Sequence, residues 1–128
     1  MSLKAFDHEE SLGIFELDEN NLVIYSSFEE SNNWIGAEKD IEGRDFFHEV
    51  LAFTNVADLQ RRLETFKAEA IPARSFDFVC HFHHHSVPVK VLLARLCDKL
   101  DGQPRSILVH LRRSSGAAAA ATTSSDRF

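Results

Sequence analysis

The sequence predicts an α+β fold, with a five-stranded antiparallel sheet and short helices packed on one of its faces. Three observations lead there. Strand-like runs come in two groups, a pair near the start and three after Ile71, and the helical patterns are bunched between them. Within each group the connections are short and polar, as hairpins require. The one strongly periodic helix has an apolar stripe narrow enough to lie on a sheet.

The first pair is "LGIFELDENNLVIYSS", where a polar "DENN" separates an alternating run from the β-branched and aromatic "LVIY". Asn20 and Asn21 can supply the left-handed backbone of a tight turn. From Phe28 to Glu42 the pattern breaks into short polar pieces that suit loops and single helical turns. "GRDFFHEVL" is a short helical segment with Phe46, Phe47 and Val50 spaced to pack on one side. The next helix starts with Asn55 as its cap and Asp58 near its positive end. Val56, Leu59, Leu63, Phe66 and Ala70 form its apolar stripe, Arg61, Arg62, Glu64, Lys67 and Glu69 its wet side, and Ile71–Pro72 stops it.

In "RSFDFVCHFHHH" one face carries Phe76, Phe78, Cys80 and Phe82, the other Asp77, Val79, His81 and His83. "HHHSVP" is a loop, "VPVKVLLARLCDKL" a long strand, "DGQPR" a turn and "SILVHLRR" the last strand. "SSGAAAAATTSSDRF" is a low-complexity tail that reads as disordered. The expected organisation is an N-terminal extension over 1–11, one domain over 12–113 and the tail over 114–128. Helices laid over one sheet face leave a cavity between them and the sheet.

Composition excludes several functions. A net charge of −6 with small basic clusters, Arg61–Arg62 and Arg112–Arg113, argues against nucleic acid. No apolar run approaches membrane-spanning length, and the N-terminus lacks a signal-peptide profile, so a cytoplasmic protein is the expectation. Eleven phenylalanines against one Tyr and one Trp indicate a core filled with plain aromatic bulk. Cys80 and Cys97 lack metal or redox spacing and read as buried free thiols. His81, His83 and His85 are weak metal or haem candidates, since no carboxylate or Cys sits at a matching spacing and a solvated strip explains them as well. With no phosphate loop, nucleophile elbow or paired carboxylates, no enzyme is expected.

"GIFELDENNLVIYSSFEE", "IEGRDFFHEVLAFTNVADLQRRL" and "FDFVCHFHHHSVPVKVLLARL" together resemble the PAS family, and more narrowly its photoactive yellow protein branch. The middle segment is the most specific, being similar to that branch's "IGxxFFxxVAPCT". The resemblance implies a PAS fold and site residues at Tyr25, Glu29 (or Glu30), Phe46, Phe53 and Thr54. The branch holds p-coumaric acid as a thioester on the Cys of "PCT"; this chain has Phe53 there, and a phenyl ring offers no nucleophilic sulfur. "NNWIG" stands where the branch has its gating Arg. Phe53 is then a plug, or the apolar wall of a site for a noncovalent ligand. The resemblance implies a bacterial signalling module that homodimerises or docks on another signalling protein. Two alternatives remain open: a ligand-free interaction scaffold, and a haem or metal sensor using His81–His85.

Overall fold

The computed structural model describes residues 10–28 and 40–114. The expected N-terminal extension up to residue 9, Glu29 and Glu30, "NNWIG" and the tail from residue 115 lie outside them.

Five strands form one antiparallel sheet: β1 (Glu10–Leu17), β2 (Val23–Ser27), β3 (Ala73–His81), β4 (Ser86–Cys97) and β5 (Pro104–Arg113), in the order β2-β1-β5-β4-β3. A single π-helical turn (Phe46–Val50) and the helix α1 (Val56–Ala68) stand between β2 and β3 in the chain, as the sequence predicts. Both pack on the same sheet face, which buries Phe15, Leu17, Val91, Leu93, Val109 and Leu111.

The first turn is held by Asp18, whose Oδ1 accepts from the backbone N–H groups of Asn20 (2.8 Å) and Leu22 (2.9 Å). Of the two asparagines only Asn21 takes the left-handed backbone, with φ 66°. Its side chain then reaches α1, accepting from Lys67 Nζ at 2.8 Å and donating to Glu64 at 3.2 Å. Its carbonyl accepts from Phe46 N–H at 2.9 Å, so one buried asparagine ties hairpin, π-turn and helix together. Gly43, at φ 90°, lets the chain double back so that its N–H bonds Val23 O at 2.7 Å.

β2 contains a bulge that the sequence pattern hides. Leu17 pairs with Val23 but Glu16 pairs with Tyr25, leaving Ile24 as the extra residue. Val23 is buried on the helix face, while Tyr25 is shifted with Glu16 to the opposite face.

Three sequence expectations are corrected at this level. Asn55 does not cap α1 with its side chain; it donates to Val79 O (2.8 Å) and accepts from His81 N–H (2.9 Å) on the outer edge of β3. An edge strand has unpaired backbone groups, and here they take up the amide. Ala70 lies past the end of α1 and is exposed. Cys97 is exposed as well, at the end of β4 just past a register irregularity at Leu96/Cys97; Cys80 is fully buried.

Candidate functional site

The π-turn follows directly from its sequence. Asp45 Oδ1 accepts from the N–H groups of Phe47 and His48, each at 3.1 Å, and the Leu51 N–H closes the turn on Phe46 O at 3.2 Å. This widened turn drives Phe46, Phe47 and Val50 together into the sheet. Phe46 is 0% exposed, with its ring 4.9 Å from Phe15 and 5.1 Å from Phe47. Phe53 is 3% exposed and lies between Phe78 (6.2 Å) and Phe82 (6.0 Å) in tilted and edge-on contacts. Among the described residues, Phe46 and Phe53 both pack against other rings of the core.

Of the residues that the resemblance singles out, four are described, and Tyr25 lies on the opposite sheet face from Phe46 and Phe53. Phe46 and Phe53 sit inside the one hydrophobic core, Phe46 against Phe15 and Phe47, Phe53 against Phe78 and Phe82. Thr54 is exposed and bonds the β3 edge, with N–H and hydroxyl both donating to His81 O at 2.7 and 2.9 Å. Tyr25 is 51% exposed on the far side of the sheet, where the bulge places it. Glu29 and Glu30 lie outside the described residues.

The histidines are dispersed too. His81 Nδ1 meets Ser86 Oγ at 2.9 Å, and His85 stacks on Phe82 at 5.0 Å and 11°. Among the described residues no group of three His, Cys, Asp or Glu side chains is placed to hold a metal.

The sheet face away from the helices presents a different arrangement. Cross-strand pairing puts Glu16, Leu108 and Ala94 in one row and Ile14, His110 and Leu92 in the next, with Tyr25 beyond Glu16. Ile14, Leu92 and Leu108 are half-buried there, and among the described residues the π-turn and α1 lie on the other face. Polar groups in this field are held: Ser106 Oγ donates to Glu16, and His110 Nε2 is 3.1 Å from Ser11 Oγ. Burial and the neighbouring Arg112 guanidinium push the His110 pKa down, so the ring tends to neutrality in an apolar setting.

No family model and no curated protein matches the chain. Solved structures do match. The light-state structure of the LOV domain of the blue-light photoreceptor Aureochrome1 has a TM-score of 0.60 at 15% identity, covering 92% of this chain and 93% of that one. A light-oxygen-voltage domain from work with a flavin analogue gives 0.58 at 16% identity, over 98% and 90%. The PAS domain of Bordetella pertussis BvgS gives 0.52 at 16% identity, over 89% and 84%.

The chain has the PAS fold. At these identities the likeness is one of fold. Among the described residues of this PAS-fold chain, no helix is long and apolar enough to cross a membrane.

Sequence reasoning missed Arg95, whose guanidinium donates to the carbonyls of Ile71 (2.9 Å), Phe66 (2.7 Å), Lys67 (3.3 Å) and Glu69 while lying 4.7 Å over the Phe66 ring. The available signal was a lone Arg inside the apolar run "VLLARL". It also missed the outer face, because the alternation of β4 is apolar on both sides and does not say which side the helices take.

Proposed function

We propose that this chain is a non-catalytic sensory or signalling module that works by protein–protein contact, pairing with a second copy of itself through the outer sheet face. The observation that carries the reading is that face: a field of Ile14, Tyr25, Leu92 and Leu108 which no described element covers. A sheet normally keeps apolar side chains on the side that is packed, so apolar residues on both sides point to a second packing partner. A copy of the same chain satisfies such a surface by two-fold symmetry. The PAS fold, with a blue-light photoreceptor domain among its structural neighbours, fits a signalling role. The interior supports contact over pigment binding: Phe53 is packed between Phe78 and Phe82, and the ring offers nothing to anchor a thioester. Within the fold, "GRDFFHEV" followed by "AFT" favours the frame of the photoactive yellow protein branch without its chromophore.

Sedimentation equilibrium tests the pairing. The wild-type chain should sediment as a dimer, and a Tyr25→Lys/Leu92→Lys variant should sediment as a monomer. The substitutions lie away from the core, so the variant should keep the wild-type circular dichroism. A wild-type chain that stays monomeric at every concentration, or a dimer unaffected by the two lysines, overturns the reading.

A further inference from the structure

A groove of about 460 Å³ runs between α1 and the edge strand β3, on the helix side of the sheet and opposite to the proposed dimer face. Its floor is aromatic: the half-buried Phe76 and the edge of Phe78 from the strand, edge-on with centroids 6.5 Å apart, above the fully buried Phe66 of the helix. Its rim is cationic. Arg61 and Arg62 come from successive positions of α1, and Arg74 from the start of β3.

The three arginines are not equivalent. Arg61 is held by Asp58 at 2.8 Å, and Arg74 by Glu69 at 2.9 Å. Arg62 has no carboxylate partner among the described residues; its guanidinium lies 4.5 Å over the Phe76 ring. Three arginines against two carboxylates leave the groove one positive charge, in a chain whose net charge is −6. A local charge opposed to that of the whole chain, set above an apolar floor, attracts an anion with a flat apolar body.

We propose that this groove binds a small planar aromatic carboxylate, with its ring on the phenyl floor and its carboxylate on the Arg62 guanidinium. The volume falls within the range of small-molecule sites, about 300–1,000 Å³. Guanidinium and carboxylate match as two parallel N–H···O bonds, and a guanidinium already stacked on a ring is pre-oriented for this. Arg61 and Arg74, neutralised by their partners, flank the ligand and do not compete for its charge. An anion without an apolar body would leave the floor wet, and a neutral aromatic would leave Arg62 unpaired. The site lies apart from the outer sheet face, so this inference and the proposed dimer stand or fall separately.

The test is a titration of the ¹⁵N-labelled full chain with 2-naphthoate, followed by amide chemical shifts. Saturable shifts confined to Arg62, Thr65, Phe76 and their neighbours are expected. The uncharged 2-naphthamide should bind about tenfold more weakly, since the charge-assisted bonds are lost. Arg62→Gln should weaken 2-naphthoate by a similar factor while leaving the rest of the spectrum in place, because the side chain is exposed. Arg62→Lys, which keeps the charge but not the fork, should fall between. Absence of saturation, shifts centred elsewhere, or equal affinity in Arg62→Gln overturns the proposal.

Discussion

A methyl group at Gly13 would sit 2.7 Å from the ring tip of Phe15, and that ring is itself fully buried between Phe28 and Phe46. The ring cannot swing out without opening the core, so Gly13→Ala should cost about 1–3 kcal/mol in urea denaturation. The two thiols should also separate cleanly. Burial pushes the Cys80 thiol up to about 12, whereas Cys97 is exposed. One equivalent should react with a thiol reagent in the native chain at mildly alkaline pH, and the second only after unfolding. Because the unfolded thiol of Cys80 ionises from about 9.0 and the folded one only near 12, stability should fall as pH rises through that window. At this scale sequence reading went far with Phe46, Phe47 and Val50, whose spacing alone put them inside. It stopped at Tyr25, because a strand's period predicts its faces only while the register is unbroken, and Ile24 breaks it.

Helix α1 shows both the reach and the limit of periodicity. Leu59, Leu63 and Phe66 are buried as their spacing requires. How the helix ends depends on a residue far away in sequence. Arg95 reaches from β4 to the carbonyls of Phe66, Lys67 and Glu69 at the end of α1, where Phe66 O also accepts from the Glu69 N–H, and it stacks on Phe66 as it does so. Arg95→Met keeps the stem and removes the donors, so it should destabilise the fold by about 3 kcal/mol. Amide exchange should then accelerate most at the C-terminal end of the helix. If exchange rises uniformly instead, the guanidinium is not what holds that end. Asn55 shows why helix caps and strand edges are confused in sequence. The same amide can serve either, and here the open backbone of β3 takes it because the fold brings Val79 and His81 within reach.

For the whole molecule, the order of strands and helices was legible because hairpin connections and a helical block leave few arrangements for one antiparallel sheet. The distribution of apolar surface over the two faces of that sheet was not. One face is filled by phenylalanines from the π-turn, α1, two strands (β1 and β3) and the loops beside them, and the other is apolar without a described cover. A sequence lists the apolar residues of both faces alike and cannot say which of them lack a neighbour. The proposed function rests on that asymmetry: Phe53 packed between Phe78 and Phe82 inside, and an outer face that no described element covers. Native mass spectrometry of the purified chain measures both halves together. An ion at twice the chain mass with nothing added is the predicted result. A single-chain ion at every concentration, or an added mass that stays with the Arg62→Gln chain, would contradict it.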